Sequence, residues 1–214
     1  MKRFSCILFF CLFVSSANAQ EIVPKFTFNV DLGLPVTVRS KPFNDYMQGL
    51  VCANISGQYS FPFHLNLGLG IRYSLFNINE FSVPEANDGS IQTGAAYLKI
   101  GWDKFITDRF AIDAGVRAGY SINYAVTDLN KSLGENPREI EAILIEPTVG
   151  FILSADEQNS YRLHIGYAIQ GYTVTPKKLG FSSDSGYDTN KYGKTTQFFV
   201  FGFGYTYYFK NKSQ

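Results

Sequence analysis

Residues 110–126 read Phe110-Ala111-Ile112-Asp113-Ala114-Gly115-Val116-Arg117-Ala118-Gly119-Tyr120-Ser121-Ile122-Asn123-Tyr124-Ala125-Val126. Every even position is apolar or aromatic, and Asp113, Arg117, Ser121 and Asn123 occupy odd positions among Ala and Gly. Side chains alternate between the two faces of an extended chain, so a period of two describes a strand with one greasy face and one small or polar face. The run is far longer than the usual strand of roughly five or six residues.

The same period recurs on both sides. Phe26, Phe28, Val30, Leu32 and Leu34 alternate with Thr27, Asn29, Asp31 and Gly33. Eight such strands are predicted, near residues 25–38, 49–60, 63–75, 91–102, 110–126, 140–154, 161–174 and 195–209. The connections after the second, fourth and sixth are short: around Pro62, from Asp103 to Arg109, and from Ala155 to Ser160. Those after odd strands are longer, and the longest, Thr175 to Lys194, is polar and rich in Gly, Ser and Lys. In an antiparallel meander this parity puts all short turns at one end and all long loops at the other, the asymmetry of an outer-membrane barrel.

A soluble barrel also alternates, so the choice rests on which face is wet. A polar face in bulk water should carry many Lys and Glu. Here it is mostly Gly, Ala, Ser, Asn and Thr, with Asp31, Arg72, Asp113, Arg117, Glu146 and Arg162 scattered among them. That composition suits a narrow lumen in which the few charges pair with one another. The apolar face carries almost no charge, as it must where Lys or Arg at a bilayer midplane costs roughly 2–4 kcal/mol. Aromatic residues gather at the short turns: Tyr59, Phe61 and Phe63 around Pro62, Trp102 and Phe110 at the next, Tyr161 at the third. Such a girdle marks a membrane interface. Pro35 and Pro147 fall inside strands, where each removes a ladder donor, and a β-bulge is expected at each.

Composition agrees. With 45% hydrophobic, 16% aromatic and 17% charged residues in 214, the chain is neither disordered nor polybasic. Lys2-Arg3, the apolar run Ile7 to Val14 and Ala17-Asn18-Ala19 read as a signal peptide over residues 1–19, releasing a barrel domain over residues 20–214 that begins at Gln20. Without Lys2 and Arg3, 17 basic residues face 18 acidic ones, which argues against nucleic-acid binding. Cys6 and Cys11 leave with the signal, so Cys52 has no partner for a disulfide. No stretch approaches the roughly 20 apolar residues of a membrane helix.

The export signal, the eight alternating strands, the loop asymmetry and the terminal run Phe198-Phe199-Val200-Phe201-Gly202-Phe203-Gly204-Tyr205-Thr206-Tyr207-Tyr208-Phe209 together resemble the small bacterial outer-membrane β-barrel families: OmpX, the OmpA transmembrane domain and the PorT-like barrels. The resemblance covers residues 20–214. It implies an all-β, eight-stranded antiparallel transmembrane barrel in the cell outer membrane of a Gram-negative envelope, inserted by the barrel-assembly machinery through its aromatic last strand. Lys210 to Gln214 follow the last aromatic, where such families often stop. A PorT-like member would assist protein secretion across the outer membrane. Other small barrels modify outer-leaflet lipids with a His beside Ser, Asp or Glu, which makes a lipid hydrolase the third reading.

The residues argue for a structural or surface-interaction role without catalysis. An eight-stranded barrel is just filled by its own side chains, so a general porin is not expected. His64 and His164 are the only histidines, each a few residues after a short turn and expected to point inward, with backbones about 16 Å apart from strand spacing and tilt. Both then lie opposite the outer leaflet. Two separated His and one Cys make no metal set, and no G-x-S-x-G, H-E-x-x-H, C-x-x-C or Walker loop is present. No catalytic, cofactor-binding or metal-binding residue is assigned. Partners are expected in outer-membrane lipid and lipopolysaccharide, the latter facing the basic last loop, in which Tyr187 and Tyr192 are interleaved with Lys177, Lys178, Lys191 and Lys194.

Overall fold

The computed structural model describes residues 25–82, 88–132, 134, 137–181 and 193–209. The signal segment, the tail after Phe209, and Tyr187, Lys191 and Tyr192 of the last loop lie outside these residues. Eight strands close a barrel in which each pairs antiparallel with its sequence neighbours and the last pairs with the first. They are β1 (Lys25–Arg39), β2 (Met47–Ser60), β3 (Leu65–Ile78), β4 (Gly89–Phe105), β5 (Phe110–Thr127), β6 (Arg138–Ser154), β7 (Asn159–Gln170) and β8 (Thr196–Tyr208). Short turns and both ends of the barrel lie at one rim, since Lys25 pairs with Ser60 and Thr27 with Tyr208.

The faces fall as the alternation requires. Phe28, Leu32, Leu69, Leu98, Ile100, Val116, Leu163 and Phe203 are exposed on the outside, while Thr27, Asn29, Asp31, Asp113, Arg117, Ser121 and Asn123 are buried. This arrangement is inverted relative to a soluble protein, and only hydrocarbon outside can stabilise it. The girdle is a set of touching rings on the short-turn side. Phe61 packs on Tyr59 and Phe63 at centroid distances of 5.0 and 5.6 Å, Phe110 on Phe151 at 6.0 Å, Tyr161 on Phe203 at 5.8 Å and Phe26 on Phe209 at 5.4 Å. Strands of 12 to 18 residues exceed the roughly 9–11 needed to cross a bilayer, so several stand above it on the loop side.

Among the described residues, three short helices lie in the long loops. Helix α1 (Lys41–Tyr46) has Pro42 in its first turn and buries Phe43 and Tyr46, three residues apart on one face. Helix α2 (Asp128–Ser132) is capped by Thr127, whose Oγ1 accepts from the Asn130 backbone N–H at 3.1 Å. A 3-10 helix spans Pro176–Leu179. Strand β7 accordingly ends at Gln170 rather than near residue 174.

The prolines are accommodated differently from the bulges expected at them. Pro35 pairs in register with Val200 of β8, whereas pairing with β2 ends at Gly33–Cys52, before the proline is reached. At Pro147 the β6–β7 pairing skips Glu146 and Pro147 and resumes in the same register, Thr148 with Gly166 and Ile145 with Ile169. A gap in the ladder loses bonds locally but leaves the faces in phase, which a bulge would not. The register shifts occur instead between Thr37 and Arg39 on β1 and between Gly49 and Val51 on β2, flanking α1.

Leu98 lies near the middle of β4, opposite Leu69, and is 66% exposed. Leu98→Arg is expected to destabilise the protein by about 2–4 kcal/mol, measured by urea unfolding in phospholipid vesicles; exposed Leu in a water-soluble fold would tolerate the change.

Candidate functional site

The lumen has two storeys. In the lower, nearer the short turns, inward positions of six strands supply a chain of charges of alternating sign. Lys99 Nζ donates to Asp113 Oδ2 at 2.7 Å, and Arg162 Nη1 lies 3.7 Å from Asp113 Oδ1. Arg162 Nη2 donates to Asp31 Oδ2 at 3.1 Å, and Arg117 Nη2 reaches the same oxygen at 3.2 Å. Arg117 Nη1 donates to Glu146 Oε1 at 3.2 Å, and Arg72 Nη1 pairs closely with Glu146 Oε2. Gln58 extends the chain downward, accepting from Lys99 at 3.0 Å and donating to Asp103 Oδ2 at 3.1 Å.

Four cations therefore meet four carboxylates, and the set is formally neutral when all are ionised. All six charges singled out in the sequence are brought together. Lys99 and Asp103 were not anticipated, although Lys99 is in phase with Tyr97 and Gly101, against Leu98 and Ile100. Inward glycines leave room for these side chains: a Cβ on Gly204 would collide with the Asp31 carboxylate, one on Gly166 with Glu146 and one on Gly202 with the His164 ring.

The upper storey is apolar. Phe43 of α1, Phe76 and Phe198 form a three-ring cluster with centroids 5.0 to 6.3 Å apart, and the Arg72 guanidinium lies 5.3 Å from the Phe198 ring beneath it. Ile91, Leu144, Val174, Leu179 and Val200 complete the packing, and Tyr46 packs on Phe181 at 5.5 Å. Much of this closure comes from loop residues folded back into the mouth.

The histidines separate. His164 faces the lumen, buried, with Nδ1 4.0 Å from Asp31 Oδ1, beyond hydrogen-bond distance. His64 lies in the turn before β3 with a positive φ of 67°, its ring 6.1 Å from Trp102 of the outward face, and so is not an inward strand residue as expected. No three of His, Cys, Asp and Glu among the described residues group as metal ligands. The charges from Lys99 to Arg72 are all buried, and Asp103 at the lower end of the chain is partly exposed.

No known protein family and no curated protein matches the chain in sequence. Solved structures do. Neisserial surface protein A matches with a TM-score of 0.57 at 12% identity, over 88% of this chain and 100% of its own. OprG from Pseudomonas aeruginosa matches with a TM-score of 0.51 at 10% identity, over 90% and 99%. Ail, the attachment invasion locus protein of Yersinia pestis, in complex with the heparin analogue sucrose octasulfate, matches with a TM-score of 0.50 at 9% identity, over 88% and 100%. The shared fold is that of small outer-membrane barrels. At such identities the likeness concerns the fold alone.

Glu146 holds two guanidinium groups at 0% side-chain exposure. Glu146→Ala strands Arg72, leaves Arg117 with Asp31 alone, and is expected to destabilise the barrel by about 3–5 kcal/mol. Glu141→Ala, on the exposed outward side of the same strand, should stay within about 0.5 kcal/mol. Urea titration of the two variants in vesicles measures the difference.

Proposed function

We propose that this chain is an exported integral protein of the outer membrane, with both termini periplasmic, a closed lumen, and a structural or surface-interaction role that involves no catalysis. One observation carries the reading: large apolar residues such as Leu32, Leu69, Leu98, Val116, Leu163 and Phe203 are exposed on the outside, while Asp31, Arg72, Lys99, Asp113, Arg117, Glu146 and Arg162 are buried in the lumen. The start of β1 and the end of β8 beside the short turns support the periplasmic placement, and the aromatic last strand, paired along its length with β1, supports assembly by the barrel-insertion machinery. The aromatic cluster above the ion chain supports a non-conducting lumen. The enclosure of His164 and the turn position of His64 speak against a lipid hydrolase. A PorT-like part in secretion is the finer alternative, and it would show as loss of secreted cargo on deletion.

Isolated outer membranes, run unboiled and boiled on a detergent gel, test the placement. The folded barrel should migrate differently in the two lanes; equal migration with recovery in the soluble periplasm would overturn it. In planar bilayers the protein should give no stable large conductance, and such a conductance would contradict the closed lumen.

A further inference from the structure

The ion chain ends at the short-turn rim on two acids. Asp103 of β4 and Asp113 of β5 are directly opposed in the ladder. Both point into the lumen, where Asp113 is buried and Asp103 partly exposed. Opposed residues of an antiparallel pair have Cβ atoms about 4.5–5.5 Å apart, and like charges at such positions destabilise the sheet. The two carboxyls come within hydrogen-bonding reach of each other.

Their partners divide unequally. Asp113 Oδ2 accepts from Lys99 at 2.7 Å, and Arg162 Nη1 stands 3.7 Å from Oδ1. Asp103 Oδ2 accepts from the neutral amide of Gln58 at 3.1 Å. Lys99 makes its second hydrogen bond to Gln58 Oε1, at 3.0 Å, and none to Asp103. Among the described residues Asp103 makes no ion pair. The other groups around the two acids add no donor. From β7, His164 faces Asp113 and stands 4.0 Å from Asp31 of β1, which shares Arg162. Tyr208 of β8 faces Asp103, and Asn66 of β3 is neutral and buried. His64 accepts the Asp103 backbone N–H at its carbonyl, with its ring against Trp102. Asp103 Oδ1 and Asp113 Oδ1 are thus both buried, and neither accepts a hydrogen bond. Two buried acceptors on facing carboxyls lack a donor between them, and one proton supplies it.

We propose that Asp103 and Asp113 share one proton and form a pH-operated latch between β4 and β5 at the short-turn rim. Asp113, flanked by Lys99 and Arg162, stays a carboxylate. Asp103 carries the proton, and its Oδ1–H donates to Asp113 Oδ1. Release sends the proton to water at the rim and leaves two anions opposed across the ladder, which loosens the hairpin. The pair stands on the geometry of the lumen alone; the outer-membrane reading adds that this rim faces the periplasm. In the unfolded chain an aspartate loses its proton near ~3.9. Above that pH the folded barrel binds the extra proton, so the latch contributes stability that is lost as pH rises until the pair is fully ionised.

The test uses the full mature chain refolded in phospholipid vesicles and unfolded with urea over a range of about pH 4 to 9. Asp103→Asn keeps the shape of the acid, donates through its amide at every pH and cannot titrate. Relative to D103N, the folding equilibrium constant of the parent should fall by up to about tenfold per pH unit above the free-aspartate value. The histidines titrate in both proteins and cancel in the comparison. Parallel pH curves for the two would overturn the proposal. Infrared spectra of the folded parent decide the point even where D103N does not fold. The C=O stretch of a protonated carboxyl should be present at about pH 6, where a free aspartate is ionised, and should vanish reversibly in alkali. Absence of that band would overturn the shared proton in favour of a water or cation between the two oxygens. Failure of the membrane reading would show separately, as recovery of the parent in the soluble periplasm.

Discussion

A charge enclosed by strands whose outer faces are apolar has no water to turn to, and it must find its counter-charge across the lumen. That constraint organises the molecule. Moving a carboxylate or guanidinium out of water costs several kcal/mol per ion, and removing one partner of a buried pair leaves the other uncompensated. The seven-membered run from Lys99 through Asp113, Arg162, Asp31, Arg117 and Glu146 to Arg72 meets the requirement by alternating sign at each step. Its members come from β1, β3, β4, β5, β6 and β7, so the ion chain ties distant strands together across the barrel where hydrogen-bonded neighbours alone cannot. The inward glycines opposite Asp31, Glu146 and His164 are part of the same solution, because long side chains fit an eight-stranded interior only where the facing wall is thin.

Above the ions the problem changes. The strands outrun the bilayer, and the mouth would open the lumen to water if nothing filled it. Phe43, Tyr46, Leu179 and Phe181, all from connecting segments, fold back against Phe76, Ile91, Leu144 and Phe198. The loops thus serve as a stopper.

The strand count, the parity of loop lengths, the lumen side of each strand and the girdle were all legible in the sequence, because a two-residue period leaves no ambiguity about which residues share a face. The same period carried Lys99, in phase with Tyr97, but an isolated Lys between Leu98 and Ile100 gave no sign of the Gln58 and Asp113 that receive it, since those partners come from other strands. The apolar upper storey was hidden for a related reason: Phe76, Phe198 and Leu144 interrupt an otherwise polar inward parity, and their partners in α1 and the last loop have no strand period to read. The prolines misled because a bulge and a ladder gap remove similar bonds. No bulge is needed where the pairing on that side has already ended, as at Pro35, or where it resumes in the same register beyond the gap, as at Pro147. His64 departed from the inward parity because the turn extends two residues further than expected, to Leu65, through a left-handed backbone at His64.

The central claim is that hydrocarbon surrounds the apolar outer face, and the single tryptophan reports on it. Trp102 lies on that face at the girdle, partly exposed and beside His64. Its fluorescence, recorded in vesicles of phospholipids brominated at successive depths along the acyl chain, should be quenched, most strongly by bromines near the headgroup, and should be little affected by aqueous acrylamide. Emission untouched by every brominated lipid and quenched freely by acrylamide would place that face in water and contradict the account.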